Sequence, residues 1–131
     1  MKIEAVEIIL YVTNQELCTD FYTAVLGQRP LLHVPGMTEF AVTGNVKLGL
    51  MPNAGIAKIL GNKTPNPETG TGIPRCELYL TVENLDAEFD KAINAGAKLI
   101  SPIAGRNWGD RVGYLADPDG HIIALAEKIR S

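Results

Sequence analysis

The stretch "ELYLTVENLDAEFDKAINAGA" (residues 77–97) repeats the plan of "EIILYVTNQELCTDFYTAVLG" (residues 7–27). Each stretch begins with a glutamate on an apolar strand, and the strand ends in a valine five residues later. Each then passes an asparagine suited to cap a helix, Asn14 or Asn84. A helical run with one apolar stripe follows and ends at a glycine. The sequence therefore predicts a strand–helix unit that occurs twice.

Both predicted helices carry apolar residues at positions i, i+4, i+7 and i+8, which is the spacing of a buried helical face. The closing glycines, Gly27 and Gly96, occupy the position just after a helix where the left-handed backbone conformation is common. The predicted buried positions are Leu17, Phe21, Ala24 and Val25 in the first helix, and Leu85, Phe89, Ala92 and Ile93 in the second.

Three strand-like segments follow each helix, so each half reads β-α-β-β-β. Hairpin turns are expected at Gly44-Asn45 and at "DPDG" (117–120). The predicted fold is α+β, a single domain over residues 1–131 with βαβββ modules at 1–52 and 76–131. The segment 53–75, rich in Gly, Pro, Thr and Asn, is interpreted as a linker or mobile loop. The strand segments are 31–34, 38–42, 46–51, 98–101, 111–116 and 121–127.

The amino-acid composition narrows the class of molecules that the chain could bind. The chain has 12 basic and 15 acidic residues, a net charge of −3, which argues against nucleic acid or an anionic membrane surface. The amino terminus carries Glu4 and Glu7 within its apolar stretch, so it does not fit a signal or membrane segment, and the cytoplasm is the expected location. Cys18 and Cys76 match no metal or redox spacing and are expected to be ordinary thiols.

The duplicated module, together with Phe21-Tyr22, Leu26-Gly27 and the closing "WGDRVGYLADPDG" (108–120), resembles the glyoxalase / bleomycin-resistance / extradiol-dioxygenase superfamily, also called the vicinal oxygen chelate superfamily. The resemblance implies a curved mixed sheet around a central cavity and commonly a homodimer. An unpaired sheet edge would also favour the dimer. In catalytic members that cavity holds one divalent metal bound by four His, Glu or Gln side chains. The superfamily includes lyases, isomerases, dioxygenases and drug-binding proteins, so fold alone does not settle function.

Four positions of this chain match the family's metal-ligand positions, and only two carry a donor. Glu7 and Glu77 begin the first strand of each module, while Gly49 and Ala124 supply no ligand side chain. Two carboxylates hold at most a weakly bound divalent metal, so no cofactor is assigned with certainty.

Strand alternation gives an independent prediction for the two glutamates. Glu7 and Glu77 fall on the mixed face of their strands, which is expected to be concave. Ile122 and Ala124 would share that face, where a small residue leaves room for a ligand. The alternative is that both glutamates lie on a wet sheet face and have no function.

An acidic, aromatic cavity favours a small-molecule ligand. Trp108 would stack on a planar molecule, and the two glutamates would offset a positive charge. The alternatives are that Trp108 is a packing anchor and that Arg111 forms a surface ion pair with Asp110. The predicted ligand-contact residues are Glu7, Ile9, Tyr11, Leu48, Met51, Glu77, Tyr79, Trp108, Arg111, Tyr114, Ile122 and Ala124.

The resulting hypothesis is a small-molecule-binding protein without a complete catalytic metal site, which binds an aromatic or cationic drug-like ligand or metabolite. The alternative is a divergent lyase or isomerase similar to lactoylglutathione lyase. In that case Glu7 and Glu77 would act as partial metal ligands or as acid/base residues. A third option is a dimeric interaction module with a vestigial cavity.

Overall fold

The computed structural model describes residues 1–130, which form two compact units. The first unit covers Met1–Thr71 and the second begins at Gly72. Each unit is an α+β module in which a helix packs on a four-stranded mixed sheet, so the predicted fold class is confirmed. The strands form two four-stranded sheets instead of one continuous sheet. None of the helices within residues 1–130 is long and apolar enough to cross a membrane.

The two sheets have the same topology. In each unit the first strand pairs in parallel with the fourth, and the second, third and fourth pair antiparallel, which gives the orders β1-β4-β3-β2 and β5-β8-β7-β6. The elements of the first unit are β1 (Val6–Val12), α1 (Gln15–Leu26), β2 (Leu32–Val34), β3 (Met37–Thr43), β4 (Val46–Pro52), α2 (Asn53–Leu60) and a 3-10 turn (Pro67–Gly70). Those of the second are β5 (Glu77–Thr81), α3 (Leu85–Asn94), β6 (Lys98–Gly105), β7 (Asp110–Ala116) and β8 (Ile122–Lys128).

The two helices begin differently. The Asn14 side chain accepts a hydrogen bond from the Leu17 amide at 3.0 Å, so it caps α1 as predicted. Asn84 makes no such bond, and its backbone adopts a left-handed conformation with φ of 53°. The predicted side-chain cap of α3 is therefore wrong, because in this conformation the side chain does not accept from the first turn.

Phe21 and Val25 of α1 are buried as predicted, whereas the predictions for Leu17 and Ala24 are wrong. Leu17 is 55% exposed and Ala24 is also exposed. The buried face follows the i, i+3, i+4, i+7 spacing from Cys18 to Val25, which leaves Leu17 and Ala24 beside it. In α3, Leu85, Phe89 and Ala92 are buried as predicted, whereas Ile93 is exposed. The buried residues of α1 are Cys18, Thr19, Phe21, Tyr22 and Val25.

The contact between helix and sheet in the first unit includes a polar contact at Thr38. Thr38 on β3 is fully buried, and its hydroxyl lies 2.9 Å from the Thr19 hydroxyl of α1. Gln15 Nε2 also donates to Thr38 Oγ1, at 3.0 Å. These bonds satisfy hydroxyls that would otherwise be buried without partners.

The matching contact of the second unit is apolar. Thr38 pairs with Leu50 on β4, and the corresponding position, Gly113, pairs with Leu125 on β8. The Phe89 ring of α3 packs directly over Gly113, so a Cβ atom built there would overlap the ring. A glycine is required here because only its hydrogen leaves room for the aromatic side chain.

The segment 53–75 is more ordered than predicted, so its interpretation as a linker or mobile loop needs correction. It contains α2, which buries Ile56 and ends at Gly61, and the 3-10 turn at Pro67–Gly70. The Asn66 side chain caps that turn by accepting from the Glu68 amide at 3.0 Å. The helix also buries Asn53 and contacts β1, β4 and the 3-10 turn, so it packs on the first unit although the composition of the segment is typical of a loop.

The "DPDG" turn (117–120) is held by one buried carboxylate. Asp117 Oδ1 accepts from the backbone amides of Asp119 and His121, both at 2.9 Å, and Oδ2 accepts from His121 Nδ1 at 2.8 Å. Burial acts to lower the pKa of His121, but the hydrogen bond and the charge of Asp117 outweigh it and raise this pKa. Gly72 also donates its amide to the Asp119 carbonyl, at 3.0 Å.

Candidate functional site

Each sheet has a helix face, on which its helix packs, and a far face on the opposite side. In the first unit the far face carries a central row in which Ile9 lies beside Gly49 and Gly49 lies beside Glu39. The neighbouring row places Glu7 beside Lys47. Glu7, Ile9 and Gly49 therefore share one face, as alternation predicts.

The Glu7 carboxyl lies over Gly49. A Cβ atom at Gly49 would be only 2.5 Å from Glu7 Oε2, and this oxygen is buried without a hydrogen-bond partner in the described chain. Burial raises the pKa of Glu7, and the adjacent Glu39 carboxyl raises it further through hydrogen bonding and charge. Lys47 opposes part of this effect, and its Nζ lies 3.7 Å from Glu39 Oε1. The first sheet thus carries two adjacent carboxyls and one ammonium.

The far face of the second sheet has an aromatic central row. Tyr79 lies beside Ala124, and Ala124 lies beside Tyr114. Ala124 is fully buried in a cluster with Val112 and Ala126, against which Tyr114 packs. The expectation that Ala124 leaves open room is therefore wrong, because the row places a tyrosine on each side of the small side chain.

The Tyr79 hydroxyl connects an indole to a carboxylate. It donates to Asp110 Oδ2 at 2.5 Å and accepts from Trp108 Nε1 at 2.8 Å. Burial and the bond to Asp110 raise the pKa of Tyr79, and the Trp108 bond opposes them, so the phenol is neutral and donates to the carboxylate. Trp108 remains 55% exposed and Tyr79 remains 39% exposed, so both rings present apolar surface to solvent.

Arg106 packs against Tyr114, the other tyrosine of the central row. Its Cζ atom lies 5.1 Å from the Tyr114 ring centroid, a cation–π distance. Its Nη2 group donates to the Val112 carbonyl at 3.0 Å, and to Ser101 Oγ and the Pro102 carbonyl, both at 3.3 Å. Arg106 and Trp108 belong to the same tight loop between β6 and β7, whose base is closed by the Arg106 amide donating to the Asp110 carbonyl at 2.8 Å.

Two residues predicted to contact the ligand lie on the helix faces. Leu48 is only 2% exposed and alternates with Lys47 and Gly49, so it belongs to the core under α1. Arg111 pairs with Asp86 and Glu127, each at 3.3 Å, and these contacts raise the pKa of its guanidinium. The alternative that Arg111 forms a surface ion pair is thus confirmed with other partners than Asp110, because neighbouring residues of a strand point to opposite faces.

The other predicted residues lie on the far faces. Tyr11 pairs with Met51 in the first sheet, and Glu77 pairs with Ile122 in the second. Tyr11 and Glu77 are exposed. These positions agree with the alternation argument, and their contact with a ligand stays a prediction.

Sequence reasoning did not predict that Glu39 and Arg106 belong to the far-face clusters. It paired Asp110 with Arg111, whereas Asp110 accepts a hydrogen bond from Tyr79. Alternation in β3 was the available signal for Glu39, because its neighbour Phe40 is fully buried on the helix face. For Arg106 the sequence carried no periodic signal, since it lies where β6 gives way to a loop.

The residues at the family's metal positions do not fit a metal ion. In the first unit Glu7 packs over Gly49, and in the second Ala124 is covered and carries no donor atom. Among residues 1–130 no three His, Cys, Asp or Glu side chains are grouped so as to hold a cation. A zinc site needs about three or four protein donors, and the described residues of neither unit group that many.

A family model described as a glyoxalase-like domain matches residues 5–130. The chain belongs to the glyoxalase-like family. Two uncharacterised relatives of this chain come from Mycobacterium bovis and Mycobacterium tuberculosis strain H37Rv. Each is 32% identical to it over 124 residues, which are 92% of this chain and 81% and 72% of the relatives, respectively.

Solved structures agree with this family assignment. A glyoxalase-related enzyme from Fulvimarina pelagi superposes with a TM-score of 0.81 over 98% of this chain and 89% of its own, at 23% identity. A protein from Agrobacterium tumefaciens, solved by NMR, has a TM-score of 0.76 and 26% identity over 98% of this chain and its own full length. At 23% identity, the likeness to the Fulvimarina enzyme shows the fold alone. The chain thus shares its fold with both the Fulvimarina enzyme and the Agrobacterium protein.

Proposed function

We propose that this glyoxalase-like chain is a small-molecule-binding protein that binds a planar aromatic cation without a catalytic metal. The observation that carries this proposal is the cluster of Trp108, Tyr79 and Asp110 on the far face of the second sheet. Here an exposed indole and an exposed phenol stand beside a carboxylate.

The chemistry of this cluster suits such a ligand. Trp108 and Tyr79 offer aromatic faces on which a flat ring system stacks, and aromatic faces also attract cations. Asp110 forms no ion pair with any side chain in the described part of the chain, so its negative charge is available to a ligand. Because Tyr79 is bonded on both sides, its ring is held in place before binding, which lowers the entropic cost of association.

The test uses Trp108 as a reporter, since it is the one tryptophan of the sequence. Titration with 2-(2-naphthyl)ethylamine, followed by the indole N–H signal in ¹H–¹⁵N NMR spectra, should shift that signal in a saturable way. Asp110→Asn should weaken binding roughly threefold to tenfold, the range of a partly exposed charge interaction. Asp20→Asn, an exposed residue of α1, is the control with the same change in charge and should bind like the wild type.

An unchanged indole signal at millimolar amine would contradict the proposal. If Asp110→Asn and the wild type bound the amine with equal affinity, Asp110 would have no role in recognising the ligand.

The acid/base alternative has one specific observation in its favour. Burial and the adjacent Glu39 raise the pKa of Glu7, as expected for a carboxyl that exchanges protons with a substrate. If this function holds, the protein turns over the hemithioacetal substrate of lactoylglutathione lyase, and Glu7→Gln abolishes the activity while the exposed Glu4→Gln retains it. Turnover that survives Glu7→Gln would exclude Glu7 as the acid/base group.

A further inference from the structure

Arg106 is an arginine without an acidic partner on the far face of the second sheet. Its Nη2 group donates only to the neutral oxygens of Ser101, Pro102 and Val112. No Asp or Glu side chain of residues 1–130 lies within ion-pair distance of it, whereas Arg111 on the helix face has two such partners. A half-buried positive charge without a counter-charge attracts an anion more strongly than an exposed one, because solvent screens it less.

Two donor groups of this guanidinium are unused. Nε is buried and has no acceptor, and Nη1 also lacks an acceptor but is not buried. The three bonds of Nη2 and the contact with Tyr114 hold the guanidinium plane in a fixed orientation. Nη1 is therefore the donor that is open to a ligand, and a carboxylate accepts a stronger hydrogen bond from it than a neutral oxygen does.

The position of Arg106 relates it to the aromatic cluster. Tyr79 and Tyr114 flank Ala124 in one row, with Asp110 bonded to the first tyrosine and Arg106 stacked on the second. A molecule that lies against both rings therefore meets a negative charge beside one ring and a positive charge beside the other.

We propose that Arg106 binds a carboxylate of the ligand, so that the preferred ligand class is an aromatic zwitterion with its ammonium toward Asp110 and its carboxylate toward Arg106. This inference rests on the proposed function and adds to it the second charged group of the ligand.

Three matched probes test the inference by the Trp108 indole signal. They are 2-naphthylalanine, which carries both charges, 2-(2-naphthyl)ethylamine, which carries only the positive one, and 3-(2-naphthyl)propionate, which carries only the negative one. The wild type should bind the zwitterion about tenfold more tightly than the amine, the gain expected from a hydrogen bond between two charged groups. Arg106→Gln should bind the zwitterion and the amine with equal affinity, whereas Arg111→Gln should retain the preference for the zwitterion.

The outcomes separate the two proposals. Equal affinity of the wild type for zwitterion and amine would overturn the role of Arg106 and leave the proposed function standing. Absence of binding by the amine and the zwitterion would overturn the proposed function itself. Because Arg106 also holds the β6–β7 loop, the comparison of probes on the wild type decides the matter even if Arg106→Gln fails to fold.

Discussion

The far faces of the two sheets share one backbone plan and carry different chemistry. The central row of the first sheet is Ile9, Gly49 and Glu39, and the central row of the second is Tyr79, Ala124 and Tyr114. Strand order agrees, the strands pair in corresponding register at these rows, and each row has a small residue in the middle. In the first sheet a carboxyl folds over the small residue, whereas in the second two tyrosines flank it.

The comparison shows that strand register decides which residues are neighbours on the far face. The size of the central side chain then decides how the side chains around it pack. Gly49 makes the buried position of the Glu7 carboxyl possible, since a side chain there would displace it. Ala124 provides a small apolar floor for Tyr114. The same backbone position therefore supports a titratable pair in one unit and an aromatic surface in the other.

The helix faces of the two sheets also differ in the side chains that they carry. The prediction with the largest expected effect on stability concerns the helix face of the second sheet. Gly113→Ala places a methyl group into the Phe89 ring and 2.8 Å from Ile103 Cγ1. Because the ring is packed in the core, we expect a loss of stability of roughly 2–3 kcal/mol, typical of overpacking. Urea unfolding of the full chain measures it.

Gly49→Ala is the matched variant on the far face of the other sheet. Its methyl group would lie 2.5 Å from the end of the flexible Glu7 side chain, which can move aside, and 3.1 Å from Ile9 Cγ1. We therefore expect a loss of stability of less than about 1 kcal/mol. Equal losses for the two alanine variants would show that the two glycines serve the same purpose.

A prediction of intermediate size concerns the polar helix contact of the first unit. Thr38→Val keeps the shape of the side chain but leaves the buried Thr19 hydroxyl and Gln15 amide without this partner. We expect a loss of about 1–2 kcal/mol, the cost of unsatisfied buried polar groups. Thr43→Val, at the exposed end of β3, is the control and should change the unfolding midpoint little. A neutral Thr38→Val would mean that apolar packing alone holds α1, as it holds α3.

The smallest expected effect depends on pH and concerns the carboxyl pair. The pKa of Glu7 in the folded chain lies above its ordinary value of 4.5. Below that value Glu7 is protonated in both the folded and the unfolded chain. As the pH rises through the folded-state pKa, ionisation favours the unfolded chain and the wild type loses stability.

Glu7→Gln should therefore be slightly more stable than the wild type at pH 7 and equally stable near pH 4. Thermal unfolding at the two pH values measures the difference. The exposed Glu77→Gln is the control in the corresponding position and should show no gain at pH 7. A gain of the same size in both variants would mean that the two glutamates have equivalent surroundings.

Much of the fold follows from local pattern, because helix and strand periods are properties of neighbouring residues. The duplicated strand–helix plan, the "DPDG" turn and the face that carries Glu7 and Tyr79 could be predicted in this way. The short helix α2 was missed because the composition of its segment is typical of a loop, although the helix buries Asn53 and Ile56.

The site was less predictable, because its contacts join residues that are far apart in sequence. The bonds of Tyr79 to Trp108 and Asp110 span 29 and 31 residues, and the register that brings them together depends on the whole sheet. Leu48 and Arg111 were placed on the wrong faces since each lies one residue away from a far-face position. A one-residue difference reverses the direction of a strand side chain.

The "DPDG" turn also bears on the chemical durability of the chain. An Asp-Gly pair in a flexible peptide ages when the glycine nitrogen attacks the aspartyl carboxyl and forms a succinimide, which opens to isoaspartate. Here the Gly120 amide donates to the Asp117 carbonyl at 3.0 Å, and Asp119 is only 8% exposed. The nitrogen is thus committed to a hydrogen bond and the carboxyl is shielded, so the folded turn protects its own covalent structure against this reaction.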